Sequence, residues 1–174
     1  RLGDPSWPHV VLYGHYDVQP VDPLELWQSD PFEPVERDGR LYARGATDQK
    51  GPFVTMFSGL MEAIKDAQGD LRLNVTVIVE GEEEIGSPSF KGFLKNYAPQ
   101  LSQADCVILS DTISPSAEQV AIATGLRGLV ALEVLFEGPS QDVHSGFYGG
   151  AVANPLHALM AVGASLHEAS GRVT

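Results

Sequence analysis

Three adjacent carboxylates, Glu82 to Glu84, follow a run of mostly β-branched residues at 73–79. Such a run predicts a strand buried in a mostly parallel sheet, and sites in open α/β sheets lie just past the carboxyl ends of the strands. Neighbouring carboxylates repel one another, so they need a positive charge nearby or a raised pKa. An acidic triplet is more often a solvated turn, and its meaning therefore depends on the other strand ends.

His15 and Asp17 come directly after the apolar run 10–13, which predicts a central strand. Residues two apart in an extended backbone point to the same side, so both side chains can face one site. A metal-binding histidine usually donates its second ring N–H to a carboxylate, and Asp17 is placed for that role. A His-x-Asp sequence alone is more often a surface turn, so it indicates a site only together with other residues.

Asp48 and Asp111 follow two further predicted strands, at 41–43 and 107–109. Apolar residues at helical spacing from Phe53 to Ala67 predict a helix after Asp48, so the ordinary role of this acid would be a helix cap. Asp111 alone would be an ordinary turn residue. Imidazole or carboxylate groups nevertheless follow four consecutive predicted strands, and ordinary roles in turns do not explain this combination.

This combination of groups indicates a catalytic metal site. Imidazole with carboxylates suits Zn, Mn or Co, whereas a structural zinc site would use several cysteines and the chain has only Cys106. The sequence contains no HExxH motif, no G-x-S-x-G elbow and no phosphate-binding loop ending in Lys-Ser/Thr. These absences disfavour the HExxH metallopeptidases, hydrolases with a serine nucleophile, and nucleotide hydrolases.

The amino-acid composition indicates the class of protein and excludes some kinds of binding partner. Hydrophobic residues make up 43% and charged residues 20% of the 174-residue chain, which is typical of a globular protein. The net charge of −12 disfavours nucleic acid and anionic membranes as partners, and no apolar run approaches the roughly 20 residues of a membrane span. Cys106 lies in an apolar run, so we expect it to pack in the core, in a cytoplasmic protein without disulfides.

The order of predicted elements defines an α/β fold with a mixed, mainly parallel sheet flanked by helices. Near residue 126 the alternation of strands and helices gives way to consecutive strands, predicted at 119–124 and 126–136. A last helix is predicted from Pro155, with Asn154 as its cap. We therefore predict one domain over 1–126 and a second over 127–174, and we expect both to be partial.

Three motifs resemble, in order and spacing, the dinuclear zinc peptidases that include carnosine dipeptidases, aminoacylase-1 and carboxypeptidase G. They are Y-G-H-Y-D-V at 13–18, R-G-A-T-D-Q-K-G at 44–51 and E-G-E-E-E-I-G-S at 80–87. A fourth, D-V-H-S-G-F-Y-G-G at 142–150, is similar to the dipeptidase branch in particular. The resemblance implies a zinc-peptidase catalytic domain, followed by the start of an inserted α+β lid that forms a homodimer.

The resemblance also implies two divalent ions, Zn first and Mn or Co as alternatives, and hydrolysis of dipeptides or small peptides. His15 would bind one metal together with Asp111, and Asp17 would orient the His15 ring. Asp48 would bridge both metals, and Glu84 would bind the second. A further histidine on the second metal is expected outside these 174 residues.

Two more roles follow from the same resemblance. Glu83 would be the general base that takes a proton from the attacking water; this choice rests on the family motif, because Glu82 allows a one-residue slip. His144 would stabilise the oxyanion in the partner subunit's active site. The resemblance also implies a cis peptide bond between Asp48 and the next residue.

Two alternatives remain at this point. An N-acyl amino acid deacylase of the same family would share every ligand, and a noncatalytic relative would use the fold for binding alone. The intact Glu83 and ligands disfavour the noncatalytic relative. Carnosine-type enzymes carry an aromatic residue shortly after the acid at position 111, whereas this chain reads Thr112-Ile113-Ser114, so a carnosine-like substrate is not implied.

Overall fold

The computed structural model describes residues 3–116 and 118–173, and the chain divides into two compact units between residues 123 and 124. The helices and strands follow one another in this order: β1 (His9–His15), β2 (Val35–Arg37), β3 (Arg40–Tyr42), α1 (Gly51–Asp66), β4 (Asn74–Glu80), α2 (Phe90–Leu101), β5 (Cys106–Leu109), α3 (Ser145–Tyr148) and α4 (Pro155–Ser165). The last two lie in the second unit.

The core of the first unit is a parallel sheet in which β1 lies between β4 and β5. Strand β1 pairs with β4 over its whole length, so that His15 lies opposite Glu80. Val11 and Leu12 are buried because the central strand has neighbours on both sides, and Ile78 of β4 is buried with them. All three strands end at one edge of the sheet, which confirms the predicted fold class.

Helix α1 begins close to the end of β1. A Cβ atom added to Gly14 would lie 2.3 Å from the Phe53 ring and 2.9 Å from Oε1 of Gln49, so only glycine fits there. Pro52 occupies the first turn of α1, where its missing N–H costs nothing. This close approach fixes the start of α1 against the edge at which the predicted site residues lie.

Strands β2 and β3 form a separate antiparallel hairpin and do not join the central sheet. Its two-residue turn, Asp38-Gly39, has positive φ at both positions (51° and 71°), as a type I′ turn requires. The strand predicted at 41–43 therefore forms as β3, but it belongs to this hairpin and not to the central sheet. Asp48 does lie between a strand and a helix, as predicted.

The strands predicted at 119–124 and 126–136 do not form. Residues 118–136 contain no regular strand, and Val120 and Leu126 are 95% and 89% exposed. A strand needs a partner for its backbone N–H and C=O groups, and an apolar pattern does not provide one. In the second unit α4 begins at Pro155, and the Asn154 side chain accepts a bond from the N–H of Leu156 (2.9 Å), as predicted.

Cys106 is exposed, which contradicts the prediction that it packs in the core. It opens β5, an edge strand whose four residues are all exposed, so its apolar neighbours do not enclose it. Among the described residues, no helix combines the length and the apolar character that crossing a membrane requires.

Candidate metal centre

His15 ends the central strand and is completely buried. Its backbone N–H donates to Oε1 of Gln49 at 2.6 Å, which ties it to the segment before α1. Its Nδ1 lies 3.2 Å from Oδ1 and 3.1 Å from the carbonyl oxygen of Asp17, so these acceptors place the ring proton on Nδ1. Nε2 is then free to bind a cation, and it faces Oδ1 of Asp48 at 3.1 Å.

Asp48 lies in a π-type turn, 46–50, and its backbone is not helical (φ −122°, ψ 94°). The peptide bond between Asp48 and Gln49 is cis, which confirms that expectation. Lys50 precedes α1 without a side-chain capping bond, so Asp48 does not have the ordinary capping role. Lys50 instead donates through Nζ to the carbonyl oxygen of Tyr16 at 2.9 Å, which joins this turn to the end of β1.

Two acids from the other strand ends approach the same imidazole. Oδ2 of Asp111 lies 3.5 Å and Oε2 of Glu83 lies 3.9 Å from Nε2 of His15. His15, Asp48 and Glu84 each offer one ligand atom, and these three atoms lie within 4.8 Å of one another. The structure thus brings together all the metal-ligand candidates of the first unit.

The structure also separates the three members of the acidic triplet. The Glu82 carboxylate turns toward α2 and accepts bonds from the N–H (2.9 Å) and hydroxyl (3.2 Å) of Ser89. Glu83 and Glu84 belong to a single 3₁₀ turn that Gly86 ends with a positive φ of 85°. This turn places Oε2 of Glu83 near His15, whereas the Glu82 carboxylate is engaged by Ser89.

Asp17 connects two parts of the cluster. Besides its contact with His15, its Oδ2 accepts a bond from the backbone N–H of Glu84 at 2.9 Å. Burial alone would raise the pKa of Asp17, but backbone N–H donors, that of Glu84 first, outweigh it and lower the pKa. Asp17 therefore stays ionised and holds both the imidazole and the acidic turn.

The negative charge of the cluster is only partly compensated, by His15. Burial, with added repulsion from nearby carboxylates, raises the pKa of Glu83 and that of Asp111. Burial disfavours a charged His15, yet the charges of Asp111 and Glu83 outweigh it and raise the pKa of His15. Among residues 3–116 and 118–173, no lysine or arginine forms an ion pair with these acids.

The donor set fits a divalent cation. Ionised carboxylates are acceptors only, and the free imidazole nitrogen adds a borderline-soft ligand, a combination that suits Zn, Mn or Co. Burial is the main cause of the raised pKa values of Glu83 and Asp111, and a cation would relieve the repulsion that adds to it.

His144 lies in the second unit, where it caps the short helix α3. Its Nδ1 accepts a bond from the N–H of Gly146 at 3.0 Å, and its ring lies 5.1 Å from that of Phe147. The acceptor role of Nδ1 places the proton of the neutral ring on Nε2. Its part in catalysis remains a prediction.

Sequence reasoning missed the residues that support the cluster. The Tyr13 hydroxyl donates to Oε1 of Glu80, which also accepts from the hydroxyl of Ser87 at 3.0 Å. Burial, followed by the hydrogen bond to Glu80, raises the pKa of Tyr13. The strand period could have found Tyr13, which is two residues before His15 and on the same face. Gln19, which donates to Glu84, and Gln49, which accepts from His15, carry no such signal.

An imidazole and several carboxylates lie together at the carboxyl ends of the parallel strands, where α/β proteins bind their ligands. This arrangement is that of an α/β protein with a metal site. The family model described as Peptidase family M20/M25/M40 matches residues 11–171, and the chain belongs to this family.

Named relatives agree with the dipeptidase branch. The chain is 38% identical over 172 residues to the Cys-Gly metallodipeptidase dug1 of Schizosaccharomyces pombe, covering 98% of the chain and 36% of that protein. It is 37% identical to the Beta-Ala-His dipeptidase of Rattus norvegicus, covering 98% of the chain and 35% of that protein. It thus spans about a third of the length of these relatives.

A solved structure supports the fold. An M20 family metallo-carboxypeptidase from Sulfolobus solfataricus matches with a TM-score of 0.72 and 30% identity, over 97% of this chain and 37% of that one. The parallel sheet flanked by helices is therefore the fold of family structures, and the resemblance stated from the motifs is confirmed.

Proposed function

We propose that the whole protein is a metal-dependent peptidase that hydrolyses dipeptides or small peptides. The observation that carries this is the cluster of His15, Asp48 and Glu84, whose ligand atoms lie within 4.8 Å of one another, with Asp111 3.5 Å from His15. The relatives named as dipeptidases support the substrate class over N-acyl amino acids.

Two divalent ions, Zn first, would be held by residues from four segments. His15 and Asp111 would hold one ion, Glu84 the other, and Asp48 both. Such ions supply Lewis acidity to the scissile carbonyl and lower the pKa of bound water. The orientation of His15 by Asp17 keeps Nε2 directed at the ion, because Nδ1 is engaged.

Glu83 is the proposed general base. It lies beside the cluster, 3.9 Å from Nε2 of His15, without belonging to the group of three ligand atoms. Its pKa is raised by burial first, which makes the carboxylate a better proton acceptor than an exposed glutamate. Glu83 would accept the proton of the attacking water and deliver it to the leaving amine.

His144 would donate from Nε2 to the oxyanion in the partner subunit of a homodimer formed through the lid. The support is its tautomer, since Nδ1 accepts from Gly146. We further propose that residues 1–126 belong to the catalytic domain, that 127–174 open the lid, and that the protein is cytoplasmic. His144→Ala should lower kcat far more than metal content; loss of metal instead would contradict the assignment.

The decisive experiment measures hydrolysis of a dipeptide panel by the intact protein before chelation, after chelation, and after addition of Zn or Mn. Activity that is lost and restored would support the proposal and rank the substrates. Inactivity on dipeptides with two metals bound would favour an N-acyl amino acid substrate. Inactivity with no metal bound would contradict the catalytic proposal.

A further inference from the structure

Gln19 makes two hydrogen bonds to a single residue of the cluster. Its Nε2 donates to Oε2 of Glu84 at 2.8 Å and to the carbonyl oxygen of Glu84 at 3.1 Å. Gln19 is exposed and lies two residues after Asp17. We propose that Gln19 is a positioning residue that orients the Glu84 carboxylate and strengthens the binding of one of the two divalent ions. This inference rests on the proposed function.

The amide of Gln19 joins the side chain of Glu84 to its own backbone. One N–H engages Oε2 and the other engages the carbonyl, so the long glutamate side chain is held in one rotamer before a cation binds. Oε1 receives no bond from Gln19, so both of its lone pairs stay open to a cation. Groups behind a ligand that fix its orientation typically raise metal affinity about 10–100-fold.

The effect should fall on one ion rather than both. His15 is supported by different groups, the Oε1 of Gln49 at its backbone and Asp17 at its ring. Gln19 contacts neither His15 nor Asp48 among the described hydrogen bonds; its bonds go to Glu84. Loss of the Gln19 amide therefore frees the Glu84 side chain while the other ligands keep their supports.

The charge of residue 19 provides a second way to test the contact. Gln19→Met keeps the length of the side chain but removes the donor, so the Glu84 carboxylate regains its rotamer freedom. Gln19→Glu replaces the donor with a like charge facing Oε2 of Glu84, so the carboxylate is also pushed away. The two variants should therefore weaken the same binding step to different extents.

Gln28 offers a matched control. It is also an exposed glutamine with a side-chain hydrogen bond, since its Oε1 accepts from Nη1 of Arg37 at 2.6 Å. That bond lies in the β2 region and involves none of the cluster residues. Gln28→Met therefore removes one exposed glutamine hydrogen bond without touching Glu84.

The experiment titrates Zn into the intact, metal-free protein against a chromophoric chelator and resolves the two binding steps. We expect Gln19→Met to weaken one step about tenfold or more, Gln19→Glu to weaken the same step further, and Gln28→Met to leave both steps unchanged. Mn titration should rank the variants in the same order, because the contact acts on the ligand and not on the metal.

Three outcomes would overturn the inference. Equal affinities in the wild type and Gln19→Met would show that Gln19 does not position Glu84. Equal weakening of both steps, or a matching loss in Gln28→Met, would indicate a general effect on the fold. A wild-type protein that binds fewer than two ions would overturn the proposed dinuclear site, and this inference with it.

Discussion

The two sides of the candidate metal centre are held in different ways. The His15 side is fully buried, ends the central strand, and its backbone bonds to the buried Gln49. The Glu84 side is a 3₁₀ turn whose acids are partly exposed and are held by the side chains of Asp17 and Gln19. We infer that burial in the sheet fixes the His15 side, while side-chain hydrogen bonds hold the Glu84 side.

The largest expected effect is a loss of turnover without a loss of metal, when the proposed base on the Glu84 side is replaced. Glu83→Gln keeps the shape of the side chain but cannot accept a proton, so kcat should fall about 10²–10⁴-fold. The metal content should stay unchanged, because Glu83 is outside the group of three ligand atoms. Steady-state kinetics with metal analysis measures both quantities.

Glu82→Gln is the matched control for this variant. Its carboxylate bonds to Ser89 at the start of α2, so kcat should stay within about twofold of the wild type. If Glu83→Gln kept its kcat, the base would be another carboxylate. If Glu82→Gln lost activity as well, the separation of the triplet would be wrong.

The next effect tests the rigidity of the buried side. Gly14→Ala would place a Cβ atom 2.3 Å from the Phe53 ring, and overpacking of this kind costs about 1–3 kcal/mol. Urea unfolding should show this loss of stability in the metal-free protein. Gly59→Ala is the control: a Cβ there meets nothing within 4 Å, and in the interior of α1 it should stabilise by about 0.5–1 kcal/mol. Equal stability of the two variants would contradict a tightly packed β1 edge.

A smaller effect concerns pH. The pKa values of Glu83 and Asp111 are raised in the folded protein, so the metal-free fold binds protons that the unfolded chain has released. The stabilisation is present at low pH and is lost as pH rises above the ordinary values of 4.5 and 3.8. His15, with its raised pKa, adds stability below its ordinary value of 6.5 that is lost in the same direction.

The metal-free protein should therefore lose stability as pH rises past the ordinary pKa values of 3.8, 4.5 and 6.5, and added Zn should reduce or reverse this trend. Urea midpoints with chelator and with Zn measure it. The effect is limited by solvent screening, since the side chains of Glu83 and Asp111 are 40% and 33% exposed. Glu83→Gln should flatten the trend. A stability that rises with pH in the metal-free protein would contradict the pKa directions.

Strand periodicity and the topology of parallel sheets made much of the candidate site predictable. His15, Glu83 and Asp111 lie at one edge because β1, β4 and β5 end together. Asp48 reaches the same place by another route, because the hairpin before it closes on itself and the chain returns through a non-helical turn. The strand before Asp48 was predictable from the sequence, but its place in a separate hairpin was not.

Other features depend on partners that the sequence pattern does not reveal. The apolar run 126–136 alternates like a strand, yet no strand among the described residues pairs with it, and Cys106 is exposed because β5 is an edge. Gln19 and Gln49 were missed because an amide has no characteristic spacing. Which member of the acidic triplet faces His15 depends on the 3₁₀ turn that ends at Gly86, and a local pattern cannot resolve it.

The smallest expected effect tests whether hydrogen bonds, rather than burial, hold the acidic loop. Tyr13 and Ser87 both donate to Oε1 of Glu80, just before the triplet. Tyr13→Phe and Ser87→Ala should each lower the free energy of unfolding by about 1 kcal/mol. The losses should not add in the double variant, because the two donors share one acceptor.

Ser58→Ala, which removes an exposed hydroxyl bond to Val54 within α1, should change stability by less than about 0.5 kcal/mol. Additive losses would mean that the two donors act independently, and no loss in either variant would mean that burial holds this side of the site as well.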